Sequence, residues 1–411
     1  MKNKRVLYLS YDGMTDPLGQ SQVLPYLNGM GQEGYQFTLL SCEKQERFTK
    51  HRDRLQAITK ESHIEWHPLP YTKTPPILST IADLRRMRKL AVRLHQAKPF
   101  DGVHCRGHVT ALVGLYLKRR FGIKFLFDNR GFWADEKVDA GAWNLNNPIY
   151  KAVYGFFKKK EKAMIEQCDQ QVCLTHAGKA DMLRWTHVKA RDENITVIPC
   201  CADTDLFSPE NGIRQVDALR KELRLPDTTP VLAYLGSIGT WYMLAEMLDF
   251  FVEYRKALPD AKFLFITQDE HERIRRTAAE KGLPAEAIVI RPGVRDEVPG
   301  LLALARHSLF FIRPTYSKIS SSPTKQGEIM AMGIPVVCNA GVGDSDHIIT
   351  EHHSGVLVRH FSEADYAATV QELLHHSFDR DAIRQGAENV FSLKSGVTSY
   401  LSVYQKMFGD D

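Results

Sequence analysis

The strongest constraint on this chain is a rhythm. Twelve apolar runs of three to five residues alternate with stretches of helical period, and the series breaks once near the middle. Six runs come before the break: Val6–Leu9, Phe37–Leu40, Gly102–Cys105, Phe125–Asp128, Gln171–Leu174 and Thr196–Ile198. Six follow it: Val231–Leu235, Lys262–Ile266, Ala287–Ile290, Ser308–Ile312, Pro335–Cys338 and Gly355–Val358. Amphipathic stretches such as Ser21–Met30, Leu84–Ala97, Thr110–Arg120 and Tyr150–Gln167 separate the first set. Short buried strands alternating with helices predict parallel sheets covered on both faces, and two runs of six predict two doubly wound α/β domains. The polar stretch Cys201–Thr229, with Pro209, Gly212 and Pro226, reads as the connection between domains 1–200 and 201–391.

Composition sharpens this division. The 411 residues carry a net charge of +5 and are 25% charged, which excludes collagen-like, disordered and disulfide-scaffold classes. Residues 1–200 hold 32 basic against 20 acidic residues, a net of +12, and the remainder 22 against 29, a net of −7. Opposite signs predict different partners for the two halves. The seven cysteines show no metal-ligand spacing, and a reducing cytoplasm is the simplest setting. Val6–Leu9 is too short for a signal-peptide core, and no run of 18 apolar residues occurs that would span a membrane.

Ligands of doubly wound sheets bind at the carboxyl ends of the strands, so the loops there matter most. In Tyr11–Gln22, Gly19 and Gln20 precede a predicted helix, where backbone amides can approach an anion; an ordinary turn is an equal reading. The loop lacks the Gly-x-Gly-x-x-Gly fingerprint of a dinucleotide site, which argues against a dehydrogenase. The next loop, Phe127-Asp-Asn-Arg-Gly-Phe-Trp-Ala-Asp-Glu136, gathers Asp128, Arg130, Trp133, Asp135 and Glu136. Its bland reading is an Asp128–Arg130 pair capping a buried edge. The third is Lys318-Ile-Ser-Ser-Ser-Pro-Thr-Lys-Gln-Gly-Glu328. Here Ser322 is expected as N-cap and Pro323 as first helical residue. The amides of Thr324, Lys325 and Gln326, with the charge of Lys325, then make a seat for a diphosphate. Glu328 follows one turn on, able to accept from ribose hydroxyls. A routinely capped surface helix is the alternative.

Glu328-Ile-Met-Ala-Met-Gly-Ile-Pro-Val-Val337 resembles the donor-binding segment of the retaining family 4 glycosyltransferases (glycosyl transferases group 1), which have the two-domain GT-B fold. Val197-Ile-Pro-Cys-Cys-Ala-Asp-Thr-Asp-Leu-Phe207 resembles their domain crossover, and Arg291-Pro-Gly-Val-Arg295 the loop whose backbone meets the nucleotide base. The resemblance implies two Rossmann-like domains facing a central cleft, with a final helix (392–411) returning to the first. It implies a nucleotide-diphosphate sugar donor held by Gly236, Ser237, Gly293, Val294, Ser320, Ser321, Ser322, Thr324, Lys325, Gln326 and Glu328. Gly19 and Gln20 would approach it from the first domain.

The chain departs from the family in three places. Ser320 stands where the first of two glutamates is usual. The loop Leu235-Gly-Ser-Ile-Gly-Thr-Trp-Tyr242 lacks the usual Arg and Lys, a charge that Lys325 is expected to replace. Arg130 stands where a histidine is common. These departures suit a polysaccharide-assembly branch.

The implied reaction moves a hexose to an acceptor hydroxyl with retained configuration. No metal or other cofactor is expected, since amides and Lys325 stabilise the leaving diphosphate. Arg130 and Asp128 join Lys325 and Glu328 as the expected catalytic group, and Asp16, Trp133, Asp135 and Glu136 are candidates to meet the acceptor glycan. Basic residues crowd 84–98 and 154–160, where a solvated helix face is the plain reading. Together they suit an anionic membrane surface carrying a lipid-linked glycan, at the inner face of the cell membrane; no nucleic-acid module accompanies them. The other classes weighed are a sugar-nucleotide epimerase using His104 and His108, and a non-catalytic nucleotide-sugar binding relative.

Overall fold

The computed structural model describes residues 4–409. It divides into two compact units: the chain through Pro199 together with the segment from Leu393 onward, and Cys200–Ser392.

The first unit is built on β1 (Arg5–Ser10), β2 (Gln36–Glu43), β3 (Glu65–Pro70), β4 (Gly102–Arg106), β5 (Lys124–Asp128), β6 (Gln170–Cys173) and β7 (Ile195–Val197), in the order β3-β2-β1-β4-β5-β6-β7. Every neighbouring pair is parallel. Strands β4 and β6 are buried throughout, as expected for a sheet covered by helices on both faces.

The one strand not expected is β3, Glu-Trp-His-Pro-Leu-Pro. Its two prolines cannot donate to a ladder and argue against a strand, yet at a sheet edge the lost donors cost little. Trp66 anchors it by donating from Nε1 to Ser41 Oγ at 2.8 Å.

The final helix, Leu393–Phe408, packs on this unit. A methyl on Gly29 would lie 2.8 Å from Val397, so glycine lets the helices Leu24–Gln32 and Leu393–Phe408 approach closely.

The second unit repeats the plan with β8 (Val231–Leu235), β9 (Lys262–Ile266), β10 (Ile288–Ile290), β11 (His307–Phe310), β12 (Val336–Asn339) and β13 (Gly355–Val358), ordered β10-β9-β8-β11-β12-β13 and all parallel. In both sheets the strand order reverses beside the first strand, the point where such sheets bind ligands beyond the strand carboxyl ends.

The stretch 201–229 is not a bare connection. It contains the helix Pro209–Glu222, begun by Ser208 accepting from the Asn211 amide at 3.2 Å with Pro209 in the first turn. Gly212 marks close packing there rather than a loop, since a Cβ would fall 2.9 Å from the Pro299 carbonyl.

Candidate functional site

Two groups of side chains collect at strand carboxyl ends, one in each unit. In the second unit, β8 delivers Tyr234 and then Gly236, whose φ of +111° favours glycine. A Cβ there would lie 3.0 Å from Lys325 Nζ, so the loop closes directly over the lysine. Lys325 is buried. Its Nζ donates to the Tyr234 hydroxyl at 3.1 Å and lies 3.6 Å from the centre of the Tyr242 ring and 4.3 Å from that of Tyr234. Burial pushes its ammonium group well below the ordinary lysine range, against the opposing pull of Glu328 and Asp269. Tyr234 in turn donates to the Ser237 carbonyl, and Asp269 accepts from the Ile238 amide at 2.7 Å, so both polar groups of the Ser237–Ile238 peptide are held.

The helix carrying Lys325 runs Thr324–Ala331 and differs at its start from the sequence expectation. Pro323, not Ser322, is the N-cap residue, with extended backbone (φ −72°, ψ 113°). Ser322 instead accepts from the Cys200 amide at 3.1 Å, and the Gln326 amide is taken by the Pro323 carbonyl at 3.0 Å. Of the three first-turn amides named from the sequence, that of Gln326 is therefore occupied, which leaves those of Thr324 and Lys325 as the candidates to meet an anion. Ser320 Oγ and Gln326 Nε2, both buried, have no protein hydrogen-bond partner among the described residues, although Gln326 Oε1 accepts from Ser345 at 2.8 Å. Buried donors normally find a partner, so these two are candidates to donate to a bound molecule. Ser321 and Thr324 are half-buried beside them.

Glu328 pairs with Arg295 NH1 at 3.4 Å rather than with Lys325. Burial pushes its carboxyl up, offset in part by Arg295 and Lys325. The loop Arg291–Arg295 is itself braced: Arg291 bonds Glu222 at 3.0 Å and Glu297 at 3.1 Å, and Glu297 accepts from the exposed Val294 amide at 3.1 Å. Gly293 offers its carbonyl to Gln268 at 3.0 Å. Asp346, in the Asp-Ser-Asp triplet, accepts from the Gly341 amide at 3.2 Å. Among the described residues no cluster of three His, Cys, Asp or Glu side chains is arranged to hold a metal.

In the first unit, Asp128 ends β5 wholly buried. Tyr400 of the final helix donates to its Oδ2 at 3.2 Å, His104 Nε2 lies at 3.4 Å, Arg106 at 3.8 Å and Arg130 at 3.5 Å from Oδ1. Burial alone would raise this carboxyl; Arg130, His104 and Arg106 outweigh it and hold Asp128 well below the usual range. Burial keeps His104 neutral-leaning, its pKa lowered, so Nε2–H serves Asp128 while Nδ1 accepts from Tyr404 at 2.8 Å. Asp128 is thus a buried anchor for Arg130, which also reaches the Tyr400 hydroxyl at 3.5 Å.

Residues 215–390 match the family described as glycosyl transferases group 1, and residues 21–206 match glycosyltransferase family 4. The chain belongs to the family 4 glycosyltransferases. It is 24% identical to a D-inositol 3-phosphate glycosyltransferase of Corynebacterium aurimucosum over 59% of this chain and 58% of that relative's length. Among solved structures it resembles a sucrose-phosphate synthase from Thermosynechococcus elongatus, with a TM-score of 0.73, 16% identity, and 99% of this chain and 100% of the other covered. It also resembles Anabaena HepE in complex with UDP and glucose, with a TM-score of 0.69, 12% identity, and 97% and 99% covered. At these identities the structural likeness shows the fold, which is GT-B.

Several residues expected at the site make contacts within the first unit. Gly19 precedes the helix Leu24–Gln32 as expected, but it is itself part of the short helix Pro17–Gln22, where a Cβ would fall 2.3 Å from the Gly13 carbonyl. Gln20 donates from Nε2 to the Thr15 carbonyl at 3.4 Å. Asp16 is held by Lys44 at 2.9 Å and Arg47 at 3.2 Å. Asp135 ties its own helix, Trp133–Asp139, to Pro148–Gln167 by accepting from Tyr154 at 2.7 Å and Lys158 at 2.9 Å. Trp133 packs against Trp143 and Phe157, while Glu136 is half-buried on the same short helix. His108 is paired with Glu161 at 2.9 Å, both buried.

The basic stretches also divide. Arg85, Arg88, Lys89, Arg93 and Lys98 are exposed, but Arg86 turns back to Thr72 and Asp83. Lys158 is spent on Asp135 and Glu161, whereas Lys159, Phe156 and Ile149 stay exposed. No helix among the described residues is long and apolar enough to cross a membrane. Sequence reasoning missed the tyrosine pair around Lys325, the Arg295–Glu328 contact and the Tyr400–Asp128 bond, because each joins positions far apart in the chain.

Proposed function

We propose that this protein is a retaining, metal-independent glycosyltransferase that moves a sugar from a nucleotide-diphosphate sugar to a lipid-linked glycan acceptor in cell-surface polysaccharide synthesis. The observation that carries the reading is Lys325. A lysine buried at the start of a helix, against a glycine turn and with no carboxylate in salt-bridge range among the described residues, is poised to hold its proton when an anion arrives. The diphosphate of the donor supplies one. Amides of Thr324 and Lys325 then share the negative charge that develops on the departing phosphate, and Glu328 accepts from the ribose. The buried donors Ser320 and Gln326 suit hydroxyls of the transferred sugar. Arg130, steadied by Asp128 and Tyr400, assists the leaving phosphate, and the acceptor hydroxyl attacks from the same face, which retains configuration. The exposed cations of 84–98 and the Ile149–Phe156 face hold the protein to the anionic inner surface of the membrane. HepE, a fold relative, binds UDP and glucose, which favours a uridine donor.

The two histidines that kept an epimerase open are both engaged in buried pairs, so transfer is the reading carried forward. The test is release of nucleoside diphosphate from a panel of nucleotide sugars, with and without a lipid-diphosphate glycan. Release that depends on the acceptor is expected. Isomerised donor without acceptor, or tight binding with no turnover, overturns the reading. Glu328→Ala is expected to lose at least tenfold in donor affinity.

A further inference from the structure

Glu328 does not stand alone. Its side chain is 12% exposed, one carboxylate oxygen meets Arg295, and the other has no protein hydrogen bond among the described residues. Arg295 comes from a different element, the single turn Arg295–Glu297 after β10; its side chain is 35% exposed, but the backbone that carries it is braced and its guanidinium rests over a ring. The preceding residues are braced by Arg291 on Glu222 and Glu297. Glu297 caps the turn through the Val294 amide. The guanidinium lies over the buried Phe207 ring, 5.4 Å from its centre. A planar cation so restrained loses little entropy in forming its bond, and it fixes direction as well as charge.

We infer that Arg295 is a positioning residue, which through its bond to Oε1 aims the free oxygen of Glu328 at the ribose hydroxyls of the donor nucleotide. The inference rests on the proposed donor site. The charged surroundings of Glu328 explain why a second residue is needed. On its own helix the nearest cation is Lys325, whose Nζ is turned to Tyr234 and Tyr242. The helix Arg380–Phe391, packed alongside, brings Arg384, but that side chain is bound to the carbonyls of Thr204, Phe207 and Ala331 and to Glu388. Among the described residues, Arg295 is the cation that contacts the carboxylate directly. Burial works to protonate Glu328, and a protonated carboxyl accepts less well from hydroxyls.

The experiment is calorimetric titration of the full chain with UDP, GDP and ADP, then with the 2′-deoxy and 3′-deoxy forms of whichever binds. The wild type is expected to bind at least one deoxy form about tenfold more weakly than the ribonucleotide. Arg295→Gln and Arg295→Met, which keep a stem over Phe207, are expected to lose about tenfold for the ribonucleotide and little for that deoxy form. Affinity requires the Glu328 carboxylate, so it falls as pH drops through its pKa. Removing Arg295 raises that pKa, and the acid limb is expected to move up by about one pH unit. Arg295→Lys should recover part of both effects. Equal losses for ribose and deoxyribose forms with an unmoved pH profile would overturn the inference, leaving Arg295 a phosphate contact or a packing residue. A wild type that binds a nucleotide but ignores the missing hydroxyl overturns it as well. A wild type that binds none of the three overturns the donor site itself, and the inference with it.

Discussion

Lys325 donates to the hydroxyl of Tyr234 at 3.1 Å while the Tyr242 ring stands 3.6 Å away. The two rings stabilise a cation by their quadrupoles, but burial works against it. An incoming diphosphate changes the balance by adding negative charge. Nucleoside diphosphate binding is therefore expected to take up protons. Enthalpies measured in two buffers of different ionisation heat should differ, and Lys325→Met should remove the difference while costing about 10- to 100-fold in affinity. Identical enthalpies in the wild type would sink this account.

Asp128 makes a stability prediction. Its folded carboxyl is held below the ordinary aspartate value, so its contribution is complete above about pH 4 and is lost as pH falls toward the folded value. Asp128→Asn leaves Arg106 and Arg130 facing a neutral group in a buried site, with an expected loss of about 3 kcal/mol at neutral pH. The variant's unfolding free energy should depend less on pH below about 4 than the wild type's. Tyr400→Phe should cost about 1 kcal/mol. Denaturant titrations at several pH values check all three.

Gly19 is a packing requirement. With a Cβ 2.3 Å from the Gly13 carbonyl and 2.6 Å from Met14 Cα, Gly19→Ala must displace backbone. That loop is clamped by Glu43, which accepts from the Met14 amide at 2.8 Å and the Thr15 amide at 3.1 Å. The expected loss is about 1–3 kcal/mol, visible as a lower melting temperature. An unchanged melt would show that the loop yields freely.

Four exposed cations of the helix Leu78–Ala97 carry the surface prediction: Arg85, Arg88, Lys89 and Arg93. Replacing all four by glutamate should abolish sedimentation with anionic vesicles at low salt and leave thermal stability within about 1 kcal/mol. A wild type that ignores such vesicles refutes the membrane role.

The two sheets were legible because parallel strands buried on both faces must be apolar runs, and runs such as Phe37–Leu40 and Val231–Leu235 leave little choice. β3 was hidden because its prolines obey the rule for an edge, and edge position is a property of the whole sheet. The helix Pro209–Glu222 was hidden for a related reason: Pro209 and Gly212 read as breakers unless one knows that one starts a helix and the other packs beneath it. At the site, Lys325 and Glu328 were visible as chemistry on one loop. Their environments were not, since Tyr234, Tyr242 and Arg295 reach them across 33 to 91 positions of sequence. Asp135 and Trp133 looked like site residues because ionisable and aromatic groups clustered in sequence. In the fold both also contact the helix Pro148–Gln167, which the sequence did not show.

The helix Leu393–Phe408 has a consequence for synthesis. Chains emerge from the ribosome N-terminus first, and early domains ordinarily finish folding before later ones are made. Here the first unit cannot finish in that order. Tyr404 bonds His104, and Tyr400 bonds Asp128, from a segment translated after the whole of the second unit. Until then a polar face of the first sheet waits uncovered while the second unit, continuous in sequence, is free to close. The first unit is therefore closed only after the second has been made, by a helix that lies beyond it in the chain.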